Sequence, residues 1–307
     1  MRQTFRLQNT LAGSAVIEGF GFWTGEDVRL EFRPAQADSG VVFVRSDLPG
    51  NPRIPALIEY RGEKPRQTSL VNGAARVDMI EHLLAAVKAL KIDNCEIWTD
   101  RPEMPGFDGS SRPFIQVLAQ IGTAMQPAVR HIRLVTQAFQ VDNGQQRITV
   151  SPSKTGRNLY RYSLIPGSGY SIEPQEYTFD LTPEGFSSGI AACRTFLSKG
   201  EADYLLEKGL CQRVTPKDVI VLGEHGPIEN EFRFNDECAR HKILDMVGDF
   251  SLCNCDWVGE FSSSRGGHSI NAECVRQLLD KTMLLDETFL SRRSNLMLQR
   301  EEMLKAA

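Results

Sequence analysis

Alternating hydrophobic and polar positions open the chain and predict a series of β-strands. Strands with one buried face are predicted at residues 3–9, 27–33 and 41–47. From residue 75 to 94 the apolar residues instead recur at three- and four-residue spacing, which is typical of an amphipathic helix. The apolar stripe of this helix consists of Ile80, Leu83, Leu84, Val87 and Leu90. Residues 95–106 return to strand and turn.

A second helix is predicted from about Pro113, since proline is tolerated in a first turn. Around residues 124–130 the helical spacing ends and strand-like segments begin again. Residues 131–153 predict a hairpin around the turn Asn143-Gly144. Further strands are predicted at 158–165, 171–181 and 218–222, helices at about 200–209, 235–252 and 272–283, and a loop at 262–270.

Both halves of the chain therefore run strands first and then helices, which predicts an α+β fold repeated twice. The repeat is visible locally, because EHLLAAVKALKIDN in the first half is echoed by RHKILDMVGDFSLCN in the second. We predict two similar domains, at residues 1–126 and 127–286, each a mainly antiparallel sheet with helices packed on one face. Residues 287–307 form a predicted helical tail.

Composition is that of a soluble globular protein, with 41% hydrophobic and 24% charged residues. No apolar run approaches the roughly 20 residues that span a bilayer, so no stable membrane insertion is expected. The N-terminal stretch lacks the continuous apolar core of a signal peptide, and a cytoplasmic location is expected. The net charge of −4, with both signs spread along the chain, argues against nucleic-acid binding.

The seven cysteines are an odd number without a disulfide framework, which fits a reducing compartment. Cys253 and Cys255 form one C-x-C, but no second pair completes a structural zinc site. We interpret both as buried free thiols.

His241 and Asp245 are four residues apart on the predicted helix 235–252, so they share one face. An imidazole and a carboxylate at this spacing can chelate a cation, and Gly248 leaves space beside them. The alternative is a solvated pair on the helix surface.

A second segment contributes Glu81 and His82. With His241 and Asp245, His82 completes a His₂-carboxylate set, which suits a catalytic zinc with one open position. Glu81 beside it could act as a general base. The alternatives are a capping box, in which Asp78 and Glu81 bond free helix amides, and a satisfied core histidine.

His268 follows two glycines, which predict a flexible turn able to bring its imidazole over a ligand as a general acid or cation. A solvated turn histidine is the alternative. A phosphate cradle is weaker, because the P-loop motif is absent. His131 and His225 receive no role.

Five motifs in this order, EHLLAAVKALKIDN, PGFDGSSRPF, CRTF, RHKILDMVGD and GGHSIN, resemble the zinc-dependent UDP-3-O-acyl-N-acetylglucosamine deacetylase family of Gram-negative lipid A biosynthesis. The resemblance covers about residues 3–285. It implies two α+β domains with their helices facing each other and the active site between them. It also implies hydrolysis of the sugar's acetamide to an amine and acetate, with a nucleotide-sugar acyl substrate.

By resemblance, the zinc ligands are His82, His241 and Asp245, although Fe²⁺ also suits such a set. Glu81 would be the base that activates the attacking water, and His268 would be the cationic partner that protonates the leaving nitrogen.

The resemblance also assigns four supporting residues. Asp249 would raise the pKa of His268, and Thr195 would donate its hydroxyl to the developing oxyanion. Phe196 and Lys242 would contact substrate, with a core aromatic and a solvated lysine as alternatives.

Three departures from the family pattern lie where substrate is recognised. Trp23 stands where a histidine is common, Arg66-Gln67 replaces small or apolar residues, and residues 212–222, including Arg213 and Val214, lack a Gly-Gly-Ser. The hydrolytic residues are therefore expected intact, while acyl-chain length or substrate identity differs. Competing hypotheses are a paralogue acting on another N-acetylated sugar, a catalytically silent homologue, and an unrelated binding protein with structural histidines. A monomer is expected.

Overall fold

The computed structural model describes residues 6–167 and 171–285, and its described part is an α+β protein. The first half contains β1 (Leu7–Leu11), β2 (Ala15–Phe20), β3 (Asp27–Pro34), β4 (Val41–Arg45), β5 (Arg53–Pro55), β6 (Arg61–Gly62), β7 (Ser69–Asn72), β8 (Ala75–Asp78), α1 (Glu81–Ala89), β9 (Cys95–Thr99), α2 (Arg112–Ile121) and β10 (Thr123–Val129). A five-stranded sheet has the order β2-β3-β9-β4-β5, and β6-β7-β8 form a smaller one. Within the larger sheet only the β4–β9 pair is parallel.

The second half contains β11 (Ile132–Leu134), β12 (Phe139–Asp142), β13 (Arg147–Ser151), β14 (Asn158–Leu164), β15 (Gln175–Asp180), α3 (Pro183–Gly189), β16 (Phe196–Ser198), α4 (Lys199–Glu207), β17 (Ile220–Gly223), β18 (Gly226–Pro227), α5 (Glu237–Phe250), β19 (Asp256–Ser264), α6 (His268–Lys281) and β20 (Met283–Leu285). Its seven-stranded sheet runs β12-β13-β19-β11-β20, with β14 also on β19 and β15 on β14. We call residues 196–228, with the small sheet β16-β17-β18 and α4, the insertion.

Strand burial follows the alternation that predicted it. In β3 the side chains of Val28, Leu30 and Phe32 are buried, while Asp27 and Arg29, which alternate with them, are exposed. Such a strand buries one face against the core and leaves the other to solvent.

Helix α1 is buried on nearly all sides because α5 packs against it. Helix α5 in turn covers β14 and β15, and α6 packs on α5. One continuous apolar core joins residues of both large sheets to α1 and α5, including Phe32, Leu84, Val247 and Tyr160. The α+β fold with helices facing each other is confirmed, and the division at residues 126 and 127 stays a prediction.

Several predicted boundaries are wrong because long-range pairing competes with local periodicity. Residues 75–78 pair with β7 as a strand, so α1 begins only at Glu81. The predicted loop 262–270 is the end of β19 and the start of α6. Helix α3 was not predicted. The hairpin of β12 and β13 around Asn143-Gly144 is confirmed, while the helical tail 287–307 lies outside the described residues.

No helix among the described residues has the length and apolar character needed to cross a membrane.

Candidate active site

The site is built where α1 crosses α5 at Gly248. A Cβ atom on Gly248 would lie 2.1 Å from the backbone oxygen of Glu81. Only glycine therefore allows the first turn of α1 to approach α5 this closely. The space beside Gly248, which the sequence assigned to a cation, is occupied by the backbone of Glu81.

We expect Gly248→Ala to push α1 away from α5 and to destabilise the fold by about 1–3 kcal/mol, since the clash is with backbone that cannot rotate away. Thermal unfolding and metal content measured on the purified variant test this. Gly200→Ala is the matched control, because a Cβ on Gly200 of α4 meets no atom within 4 Å. Equal stability of the two variants would contradict the close crossing.

His82, His241 and Asp245 converge at this crossing, as predicted. Their ligand atoms all lie within 4.8 Å of one another, and all three residues are buried. Asp245 Oδ1 lies 3.4 Å from His241 Nε2 and 3.7 Å from His82 Nε2. The edge of a tetrahedral site with bonds of about 2.0 Å is roughly 3.3 Å, so these separations fit ligands of one metal ion.

The donor chemistry also fits a divalent cation. Asp245 Oδ1 is buried without a hydrogen-bond partner, and an orphaned buried carboxylate oxygen is costly unless a cation meets it. Asp245 Oδ2 accepts a hydrogen bond from Lys242 Nζ at 3.0 Å. His241 Nδ1 donates to the Cys193 carbonyl at 3.1 Å, which orients Nε2 toward Asp245.

Electrostatics keep His241 and Asp245 in the ligating protonation states. Burial lowers the pKa of His241 to about 3, so its ring is neutral and its contact with Asp245 is not an ion pair. Burial alone would raise the pKa of Asp245, but Lys242 and the neighbouring imidazoles hold it well below its usual value. A neutral imidazole and an ionised carboxylate are the forms that bind metal.

Glu81 does not form the capping box that was the alternative to its role as a base. The N-cap of α1 is Ile80, without a side-chain cap, and Asp78 pairs with Lys64 at 2.8 Å instead. Glu81 Oε2 accepts the backbone N–H of Thr68 at 3.0 Å. Burial raises the pKa of Glu81, although His268 and His82 oppose the shift. A carboxylate with a raised pKa beside a candidate metal site is suited to accept a proton.

His268 is the first residue of α6 rather than part of a flexible turn. The Tyr162 hydroxyl donates to the Gly266 carbonyl at 2.7 Å and so fixes the preceding segment. His268 Nε2 lies 3.7 Å from Glu81 Oε1, and its Nδ1 lies 2.9 Å from Asp249 Oδ2. Burial lowers the pKa of His268, but the carboxylates of Asp249 and Glu81 outweigh it and raise the pKa to about 9.

Two residues that hold Asp249 were missed as site residues by the sequence analysis. The Thr68 hydroxyl donates to Asp249 Oδ1 at 2.5 Å, and Asn271 Nδ2 donates to Asp249 Oδ2 at 2.8 Å. Asn271 belongs to the GGHSIN motif, and Thr68 directly follows Arg66-Gln67. Their position in or next to these segments is the sequence feature that could have identified them. Together they fix the carboxylate that faces His268.

A cavity of about 620 Å³ opens onto this cluster. Thr195, Phe196 and Lys242 line it together with Glu81 and the three candidate ligands. Phe196 is therefore not a purely core aromatic, and its ring centre lies 5.5 Å from Lys242 Nζ.

The same cavity is also lined by apolar side chains from both halves of the chain. We call this part the apolar passage; its walls include Phe22, Trp23, Met79, Leu205, Val214 and Val221. Of the residues expected from the sequence to depart from the family pattern, Trp23, Arg66 and Val214 line the cavity, and Gln67 is buried.

The profile of the LpxC family, UDP-3-O-acyl N-acetylglycosamine deacetylase, matches residues 8–280. The chain belongs to this deacetylase family. The UDP-3-O-acyl-N-acetylglucosamine deacetylase of Geobacter sp. (strain M21) is 34% identical over 276 residues, 89% of each chain. The deacetylase of Myxococcus xanthus (strain DK1622) is 33% identical over 280 residues, 91% of this chain and 88% of the relative. That of Pseudomonas entomophila (strain L48) is 32% identical over 280 residues, 90% and 91% of the two chains. The resemblance inferred from the five motifs is thus confirmed over most of the chain.

Proposed function

We propose that this member of the deacetylase family hydrolyses the acetamide of a UDP-linked 3-O-acyl-N-acetylglucosamine, releasing acetate and a free amine in lipid A biosynthesis. Relatives of similar length carry that activity in their names. The observation that carries the proposal is the convergence of a candidate metal triad, a buried glutamate and a histidine on the wall of one cavity that is also lined by apolar side chains.

We propose His82, His241 and Asp245 as ligands of Zn²⁺, with Fe²⁺ as the alternative ion for the same set. When bound, such an ion is a Lewis acid that polarises the acetamide carbonyl and makes an attacking water more acidic.

The remaining roles belong to residues of this chain. Glu81 accepts the proton of the attacking water, for which burial and a raised pKa prepare it. His268, held protonated by Asp249, donates a proton to the departing nitrogen. Thr195, on the cavity wall, donates a hydrogen bond from its hydroxyl to the negative charge that develops on the carbonyl oxygen when water attacks the carbonyl carbon.

Substrate recognition divides between the apolar and the polar side chains that line the cavity. The apolar passage accommodates the 3-O-acyl chain, because it removes methylene groups from water. Lys242 and Phe196, near the metal triad, contact the sugar and its phosphate charge.

A cytoplasmic, monomeric enzyme remains the prediction from sequence.

The direct test is incubation of the purified protein with UDP-3-O-acyl-N-acetylglucosamine, with acetate and the free amine measured by mass spectrometry. We expect both products, and expect them to disappear after chelation and to return when Zn²⁺ is added back. Release of acetate only from a different N-acetylated sugar would favour the paralogue, and metal binding without any turnover would favour a silent homologue.

A pH prediction follows from the His268–Asp249 pair. If the protonated imidazole is required, activity falls as the pH rises through about 9, where His268 loses its proton. Asp249→Asn removes a carboxylate that raises this pKa, so the alkaline limb should move to lower pH by roughly one unit or more. Profiles of kcat/KM between pH 6 and 10 for both proteins measure the shift, because kcat/KM reports the pKa values of the free enzyme. An unchanged alkaline limb would assign that limb to another group.

A further inference from the structure

The apolar passage lies between two separate segments of the chain. The turn between β2 and β3, residues 20–27, supplies Phe22 and Trp23, and the insertion supplies Val214 and Val221. Phe22 and Val221 are buried in one small apolar cluster that also contains the partly buried Trp23 and Val214. The width of the passage therefore depends on how firmly the β2–β3 turn is held against the insertion.

Arg213, which precedes Val214 in the chain, connects the insertion to the β2–β3 turn. Its Nη1 donates to the Gly25 carbonyl at 2.6 Å and to Asp27 Oδ1 at 2.7 Å, and its guanidinium lies 4.4 Å from the centre of the Phe20 ring. The Asp27 side chain is 84% exposed, so that ion pair contributes little. The hydrogen bond to the Gly25 carbonyl and the cation–π contact with the Phe20 ring depend on the orientation of the guanidinium, and they hold Arg213 in place.

Gly25 is suited to this contact. Its φ of +70° disfavours side chains, and a Cβ there would lie 3.2 Å from Cδ of Arg213. The turn is thereby shaped so that the arginine can reach its carbonyl.

A second arginine links the first half of the chain to the insertion. Arg66 Nη2 lies 3.0 Å from Glu201 Oε1, and Glu201 Oε2 accepts the backbone N–H of Ser198 at the start of α4. Each arginine thus joins a segment of the first half of the chain to the insertion.

Resting on the proposed function, we infer that Arg213 is a positioning residue that sets the width of the apolar passage and thereby the preference for acyl-chain length, with Arg66 as a second tether. With the walls held together, each additional methylene is buried between them. Burial of a methylene contributes about 0.8 kcal/mol, which is about fourfold in kcat/KM for each methylene until the passage is full. With the tether removed, the walls separate and this gain per methylene decreases.

The experiment measures kcat and KM for UDP-3-O-acyl-N-acetylglucosamines that differ only in acyl length, with the wild type and Arg213→Ala. We expect the variant to keep kcat. The ratio of kcat/KM for long-chain over short-chain substrates should fall at least tenfold, because KM rises for the long-chain substrates. KM for the short-chain substrates should be almost unchanged. Arg213→Lys, which keeps the charge without the planar fork, should restore part of the preference. Arg66→Ala should change the profile in the same direction by a smaller factor.

The controls separate this role from general destabilisation. Arg157→Ala removes an exposed arginine that pairs with Asp180 outside the cavity, and it should leave the profile unchanged. Asp27→Asn should also have little effect, because the exposed pair contributes little.

Calorimetric binding of the same nucleotide sugars is measured in parallel, so that binding does not depend on turnover. If the wild type hydrolyses the series and Arg213→Ala has the same chain-length profile, the inference is wrong while the proposed function stands. If the wild type binds the series without hydrolysing it, the function is wrong and the binding profile alone decides on Arg213. If the wild type neither binds nor hydrolyses any member, both are overturned.

Discussion

Replacing Glu81 with glutamine should lower kcat by about 10²- to 10⁴-fold, the contribution typical of a general base, while the metal stays bound. Glutamine keeps the shape of the side chain and an oxygen that can accept the Thr68 N–H. It cannot accept the proton of an attacking water at neutral pH. Steady-state acetate release and the metal content of the purified variant give the two readouts.

The matched control for Glu81→Gln is Glu59→Gln, because Glu59 is exposed and does not line the cavity. It should leave kcat, metal content and thermal stability unchanged. Loss of metal in Glu81→Gln would instead give Glu81 a part in holding the ion, and full activity would remove it from the proton transfer.

Replacing His82 with alanine should abolish both metal binding and turnover. His82 is one of three candidate ligands and the only one supplied by α1, so its loss leaves two ligands from a single helix. We expect the affinity for Zn²⁺ to fall by more than the roughly 10- to 100-fold that follows loss of an outer-shell partner. Metal content and the rise in melting temperature on adding Zn²⁺ measure this independently of activity, because a ligand that binds only the folded state stabilises it.

His131→Ala is the control for that experiment, since His131 is exposed and lies outside the cavity. It should bind Zn²⁺ and turn over like the wild type. If His82→Ala kept a stoichiometric metal ion with unchanged affinity, the triad would not be the metal site. Together with Glu81→Gln, this pair of variants separates the group that moves a proton from the group that holds the ion.

The predicted ligand set shows which of the three ligands local spacing in the sequence can bring together and which it cannot. His241 and Asp245 share a helix face because four residues make about one turn, and this holds wherever the helix lies. His82 is 159 positions away from His241, and no local rule brings it to the same point. Its inclusion rested on the chemistry of a three-ligand site and on motif resemblance.

Where the sequence reasoning failed, a long-range partner competed with a local one. Asp78 and Glu81 have the spacing of a capping box, but β8 pairs with β7 and holds Asp78 in a strand. Glu81 then bonds the backbone of Thr68. The two glycines before His268 allow a flexible turn, but the hydroxyl of Tyr162 holds that segment in one conformation. Both outcomes depend on residues far away in the chain.

The sequence by itself determined the types of residues present, their periodicity, and hence the strands, the helix faces and the membership in a family of deacetylases. Periodicity is a property of neighbouring residues, and it survives without the rest of the fold. The tertiary structure alone decided the protonation states and the distances. Burial raises the pKa of Glu81 and lowers that of His241, while Asp249 raises that of His268, because these shifts depend on removal of water and on charges brought close by folding. The crossing of α1 and α5 at Gly248 is what brings these groups together.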